Sequence, residues 1–368
     1  MRLTQTTLLA VTTLSGAMLA PVFAQEYPAP ADDATVVVID QVLLNDVFAN
    51  MQVTVATDAT GADVSALASG NVASGDGGSG DLDFDVNQLQ QALVEANVSL
   101  TGGPILGGDV TTVSTAYGNS ATSTTTNGTT FHTLTQVSDN DVAALTNILL
   151  NGADTVNATT TAAANVSTYS AANGTVRGFQ RQTGNADVFA YSFADLCCNN
   201  NSALVSTSAT GNTITSTGTT NTSYNGAVQI MALGTDVYAE TELLVQSATS
   251  TVGSATAAGN SATVYNEWGF ATLGRDSSEL YQGNGADVVA VSTVNLDNWS
   301  GTSGATAYGV GNSGLISNVG SDTGLFANQE NLGDVYAGAA FNGSTSDGSS
   351  GYVSSTAFGN ALTATLCY

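Results

Sequence analysis

The 368-residue chain has no lysine, and its only fixed positive side chains are four arginines against 30 acidic residues and one histidine. Nucleic-acid binding needs clustered Lys and Arg to neutralise phosphates, so that class is excluded at the outset. Charged residues of both signs make up only 9% of the chain while hydrophobic residues make up 42%, which fits neither a disordered polyelectrolyte nor an ordinary enzyme surface. Aromatics are scarce at 7%, there are four prolines and three cysteines, and no apolar run reaches the roughly 18 to 20 residues that a membrane-spanning helix needs. The polarity instead comes from Thr, Ser, Asn and Gly, residues of turns and β-faces rather than of helices.

The first 24 residues read as a Sec signal peptide. Arg2 supplies the positive start, the stretch from Leu8 to Leu19 is apolar, and Val22-Phe23-Ala24 places small residues at the two cleavage-determining positions. A mature chain from Gln25 keeps Arg177, Arg181 and Arg275 against 30 acids, a formal net charge of −27. An exported protein is expected, associated with the outer membrane or exposed at the cell surface.

Internal repetition is the strongest signal. A motif of small residue, Ala, any residue, Gly, Asn recurs as Thr115-Ala116-Tyr117-Gly118-Asn119, Ser208-Ala209-Thr210-Gly211-Asn212, Thr256-Ala257-Ala258-Gly259-Asn260 and Thr356-Ala357-Phe358-Gly359-Asn360. Weaker copies fall at Ala68-Ser69-Gly70-Asn71, at an inverted Ala172-Asn173-Gly174, and at Tyr308-Gly309-Val310-Gly311-Asn312. A second series, glycine followed shortly by an aspartate that opens an Asp-Val or Asp-Thr step, gives Asp63, Asp109, Asp154, Asp187, Asp236, Asp287 and Asp334. From Asp187 onward the two series alternate in steps of 22 to 27 residues, a unit of about 24. Within a unit the residues alternate with period two, as in Asp287-Val288-Val289-Ala290-Val291-Ser292-Thr293-Val294, and Gly-Asn pairs punctuate the strands as solenoid corners would. An asparagine at equivalent corners can stack so that each amide bonds the next. The expected fold is an all-β, β-helix-like solenoid, preferred over tandem β-sandwiches because small inward Ala, Val, Ser and Thr suit a narrow core.

Before Asp187 the spacing is ragged, so residues 25–180 are expected to form an acidic cap or subdomain and 181–368 the regular solenoid. Helical spacing of Leu89, Leu93 and Ala96 predicts a helix within Asn87–Ser99, and that of Val142, Leu145 and Leu149 one within Asp139–Leu150.

The exported, acidic, lysine-poor chain with recurring Ala-x-Gly-Asn units resembles the holdfast anchor proteins of surface-attaching bacteria, the HfaD family. The resemblance implies a surface protein that works with curli-related partners to hold an adhesive polysaccharide on the envelope, as in biofilm formation.

Sites for chemistry are few. Gly75-Asp76-Gly77-Gly78-Ser79-Gly80 and Gly309-Val310-Gly311-Asn312-Ser313-Gly314 match G-x-G-x-x-G but lack the strand-loop-helix context of a dinucleotide site, and read as a loop and a repeat corner. Asp81, Asp83 and Asp85 begin like a calcium loop, which then fails at Val86 and Ala92, so alternation along an exposed strand face explains them equally. His132 is expected to be an ordinary surface residue, and no G-x-S-x-G elbow exists for a nucleophile. Chance pairs among 30 acids could serve glycoside hydrolysis. Cys197, Cys198 and Cys367 permit a bridge from the adjacent pair to the C-terminus, a vicinal disulfide, or an intermolecular bond. The expectation is therefore a non-enzymatic adhesin or anchor without a cofactor. A self-assembling coat or curli-like fibre is the alternative and a glycan-active enzyme the third reading. The acidity suits divalent cations or a polysaccharide carrying free amino groups.

Overall fold

The computed structural model describes residues 34–55, 61–103, 108–198, 200–219, 222–274, 280–344 and 349–367. The expected signal peptide at 1–24 and Arg275 lie outside them. All regular structure among the described residues is β.

The strands wind into seven coils. The first coil is β1 (Thr35–Leu43), β2 (Val47–Val55) and β3 (Ala62–Asp76), and the second is β4 (Leu82–Gln90), β5 (Val94–Gly102) and β6 (Asp109–Thr126). The third is β7 (Thr130–Ser138), β8 (Val142–Leu150) and β9 (Thr155–Ala172), and the fourth is β10 (Val176–Gly184), β11 (Val188–Leu196) and β12 (Asn200–Thr219). In the fifth, β13 (Ser223–Met231) is followed by one continuous strand, β14 (Asp236–Glu267). The sixth comprises β15 (Ala271–Leu273), β16 (Leu280–Asn284), β17 (Asp287–Trp299) and β18 (Thr302–Val319), and the seventh β19 (Thr323–Leu325), β20 (Ala327–Asn331), β21 (Val335–Gly343) and β22 (Ser350–Cys367).

Every strand pairs in parallel with its counterpart one coil on. The first strands of the coils form one sheet, and the second and third strands form the other. The long third strand doubles back past both short ones. Its first half packs with the second strand around Val94, Ala96, Val98, Leu100, Val110 and Ala116. Its second half packs with the first strand around Leu82, Phe84, Val86, Ala121 and Tyr169. In the second coil alternate residues of β4, β5 and β6 are sealed inside, and only at the bend of β6 do two neighbours, Gly118 and Asn119, both turn inward.

Parallel stacking explains the repeat. Asn71, Asn119, Asn165, Asn212, Asn260, Asn312 and Asn360 follow one another at 46 to 52 residues, one per coil. The alternating Asp and Asn series are thus two corners of a single coil, and each step of about 24 residues is half a turn. Just before each of these asparagines the ladder skips one residue, Gly118 or Ala164 for example, so two consecutive side-chain positions turn inward and the strand bends. A Cβ on Gly118 would stand 2.6 Å from the Ala164 carbonyl oxygen and 2.8 Å from Gln90 Oε1, which is why glycine recurs there.

Three expectations need correction. Asn87–Ser99 and Asp139–Leu150 are strands, not helices: β4, β5 and β8 bury alternate residues, and Leu89, Leu145 and Leu149 point outward. The helical spacing had counted outward leucines as core and overlooked the inward Gln88 and Gln90. Residues 25–180 hold no separate cap among those described, because the coil runs in unbroken register from Thr35 through β10. Ala172-Asn173-Gly174 is a turn, with Asn173 at φ 54°, and the ladder position of the third coil belongs to Asn165.

Candidate functional site

The interior is organised by amides. Each ladder asparagine donates from Nδ2 to Oδ1 of the asparagine one coil on, at 2.8 Å in all six steps from Asn71 to Asn360. The other Nδ2 hydrogen goes to a backbone carbonyl, that of Val137 for Asn119 and that of Ile230 for Asn212. A second ladder, which the motif reading missed, consists of Gln41, Gln88, Gln136, Gln182, Gln229, Gln282 and Gln329. Here each Nε2 donates to Oε1 of the preceding coil at 2.5 to 2.9 Å. These glutamines recur at steps of 46 to 53 residues, a period visible in the sequence once the coil length is known.

The expected aspartates fall at two corners. Asp187, Asp236, Asp287 and Asp334 stand at the starts of β11, β14, β17 and β21. Carboxylate oxygens of Asp141, Asp187 and Asp287 accept the backbone N–H of Asp187, Asp236 and Asp334 respectively, at 2.9 to 3.2 Å. Burial, then the charges of Asp187 and Asp287, hold the Asp236 carboxyl above its ordinary range. Asp63, Asp109 and Asp154 belong to a different corner, at or near the start of the long third strands.

The calcium candidates do not converge. Asp81 Oδ1 caps the Thr129 backbone N–H at 2.7 Å, and Asp83 and Asp85 project from the outer face of β4, where burial raises both carboxyls. Among the described residues no group of three or more His, Cys, Asp or Glu could hold a metal ion. Gly309 and Gly311 flank the bend of β18 and Gly75 lies in β3, so neither glycine-rich stretch opens a helix.

His132 is not on the surface. It faces inward from β7 at 2% exposure, stacks on Tyr169 with ring centroids 3.9 Å apart, and lies 3.2 Å from Gln180 Nε2. Burial pushes its pKa down to about 3, so it is a neutral core ring. Cys197 and Cys198 form a vicinal disulfide after β11, at a corner where Cys198 adopts φ 58°, and Cys367 is free and exposed.

Outside, one patch combines stacked aromatic rings with carboxylates. On the outer face of β11 and β14, Phe189 stacks on Tyr238 with centroids 5.3 Å apart and planes 10° from parallel, and on Tyr191 at 6.3 Å and 18°. Register places Phe189 beside Tyr238, Tyr191 beside Glu240 and Phe193 beside Glu242. The Tyr238 hydroxyl donates to Glu240 Oε2 at 2.7 Å and the Tyr191 hydroxyl to Glu242 Oε2 at 3.3 Å. Burial and the neighbouring glutamates push the Tyr191 phenol up to about 12 and raise that of Tyr238 as well, so both remain hydroxyl donors at any physiological pH. All six side chains are half-exposed. The described arginines, Arg177 and Arg181, stand on β10 in the other sheet, with the Arg177 guanidinium over Tyr224 at 5.9 Å. The patch therefore offers near-parallel, stacked rings with carboxylates beside them that neither described arginine faces. Apolar faces of pyranose rings stack on such surfaces, and the carboxylates accept hydroxyl hydrogen bonds or pair with ammonium groups.

The family model described as holdfast attachment protein D, HfaD, matches residues 56–333. The chain belongs to the HfaD family. Its role is accordingly holdfast attachment, at the cell surface. Comparison with curated proteins gave no match, and neither did comparison with solved structures.

Proposed function

We propose that this HfaD-family chain is a non-enzymatic anchor that holds the adhesive holdfast polysaccharide on the outer envelope, after Sec export, in company with other surface proteins of the attachment apparatus. The stacked rings and carboxylates on β11 and β14 carry this reading, because they form a flat, acidic, aromatic face suited to a chain of amino sugars. A solenoid suits the task. It presents that face on a rigid, parallel-paired rod, so little ordering entropy is lost when an extended polymer lies along it. Against an enzymatic reading stands the placement of the only histidine, which is sealed in the core and held neutral.

Two measurements test the proposal. Purified protein passed over immobilised, partly N-acetylated polyglucosamine should be retained, and Tyr191→Ala with Tyr238→Ala should elute early while keeping the wild-type circular dichroism. Cells lacking the chain should shed their adhesive polysaccharide. Equal retention of wild type and double variant would remove the face from the mechanism, and normal adhesion in the deletion strain would remove the anchor role.

A further inference from the structure

The two amide ladders run with opposite polarity, and this makes the two ends of the solenoid complementary. Asparagine bonds point from each coil to the next, whereas glutamine bonds point from each coil to the one before. At the C-terminal end, Asn360 Nδ2 has only a 3.4 Å contact to the Gln329 carbonyl, and Gln329 Oε1 has no donor among the described residues. At the N-terminal end, Asn71 Oδ1 has no donor among the described residues, and Gln41 Nε2 spends one hydrogen on the Val72 carbonyl at 2.9 Å with the other unused. One end therefore offers an asparagine donor and a glutamine acceptor, and the other offers the matching acceptor and donor.

Continuing the coil register by one step superposes these groups in pairs. Asn360 comes over Asn71 and Gln329 over Gln41. Inside, Val335 meets Val47, Ala337 meets Ala49 and Phe341 meets Val53, all of them only partly buried in the single chain. Outside, Tyr336 meets Phe48. These two are 57% and 53% exposed, and they occupy the column in which Phe189 and Tyr238 stack at 5.3 Å. Two copies joined end to end the other way round would lose the parallel register that sets asparagine over asparagine and glutamine over glutamine. We infer that the open end coils are an interface for a second copy of this chain, added head to tail, so that the coil and both amide ladders run on from one molecule into the next.

One contact opposes the junction. The Asp334 carboxylate would accept the Asp46 backbone N–H, as Asp287 accepts that of Asp334, and this brings the two carboxylates together. Assembly should therefore strengthen as salt screens that pair.

The test uses the full mature chain from Gln25, by sedimentation and negative-stain microscopy across rising concentration and salt. Unbranched rods that lengthen with both are expected. Phe48→Asp with Tyr336→Asp alters two exposed side chains, so the monomer fold is retained, and like charges facing across the junction should raise the half-assembly concentration by roughly tenfold or more. Phe48→Arg with Tyr336→Asp should restore assembly, which only an in-register head-to-tail contact explains. A wild-type chain that stays monomeric throughout overturns the inference. Assembly indifferent to the double aspartate variant, or not rescued by the charge pair, overturns it as well.

Discussion

Inside and outside of this solenoid obey different rules. The inside repeats: an asparagine and a glutamine recur in every coil, and the column over Ala49 holds alanine at Ala96, Ala144, Ala190, Ala239, Ala290 and Ala337. Apart from the corner aspartates, the outside does not. The column over Phe48 runs through Glu95, Ala143, Phe189, Tyr238, Val289 and Tyr336, and only between the fourth and fifth coils does it meet a second aromatic and two glutamates. Stacking fixes the interior, because each inward group must satisfy the copy above and the copy below. Outward positions are free of that demand, so recognition resides where the repeat is broken.

The sharpest way to break the contrast is to damage the repeating part. In Asn212→Ala three bonds are lost: the Asn165 amide loses its acceptor, Asn260 Oδ1 loses its donor, and the Ile230 carbonyl loses the Asn212 amide. With about 1 to 3 kcal/mol for each buried group left unpaired, the loss in unfolding free energy should reach about 3 to 5 kcal/mol by urea titration. Glycan retention by the molecules that remain folded should not change. A loss below about 1 kcal/mol would mean that the ladder is incidental to the fold.

That division also explains what could be read from the sequence. The Ala-x-Gly-Asn copies were legible because the inward asparagine and the glycine at the bend are both required by geometry, and they led to a solenoid, to stacked amides and to the family resemblance. Asn165 escaped because Ala164 stands in the glycine position. The glutamine ladder escaped because glutamine counts as polar in any hydrophobic pattern, and the same error made strands β4 and β5 read as helix. His132 escaped for a similar reason: a lone histidine carries no period, and only the register that puts it opposite Phe84 and Gly178 shows that it faces inward. The aromatic patch was hidden because Phe189, Tyr191, Tyr238 and Glu240 lie about 50 residues apart across two coils and form no linear motif.

His132 itself tests the claim that the interior admits only uncharged groups. Its folded-state pKa of about 3 lies below the ordinary imidazole value of 6.5, so the unfolded chain binds the extra proton between those limits. Its share of stability is complete above pH 6.5 and falls as pH drops toward 3, at about 1.4 kcal/mol per unit. Asp83, Asp85 and Asp236, whose carboxyls are raised in the folded chain, act in the opposite direction and gain on acidification. His132→Gln should therefore flatten the decline in urea midpoint from pH 6.5 to 4 relative to wild type, whatever its effect at neutral pH. A decline that keeps its slope would place the acid sensitivity elsewhere.

On the outside the expected effects are smaller and concern binding rather than folding. Removing the rings in Tyr191→Ala or Tyr238→Ala should weaken retention on polyglucosamine about threefold to tenfold each, at roughly 0.5 to 1.5 kcal/mol per stacked ring, with little change in thermal midpoint.

The smallest change should come from Glu240→Gln with Glu242→Gln. Both substitutions keep an acceptor for the tyrosine hydroxyls and remove only charge, so the rings stay in place. Half-exposed carboxylates facing ammonium groups contribute a few tenths to about 1 kcal/mol, and salt screens the attraction. Retention on free-amine polyglucosamine should fall about twofold to fivefold at low salt, and the difference from wild type should vanish near 0.5 M salt, where charges beyond about 4 Å are screened. On the fully N-acetylated polymer the same variant should bind as wild type does at every salt concentration. An equal loss on both polymers would show that the glutamates act through the sugar hydroxyls, and the aromatic face would then recognise the pyranose ring rather than its amine.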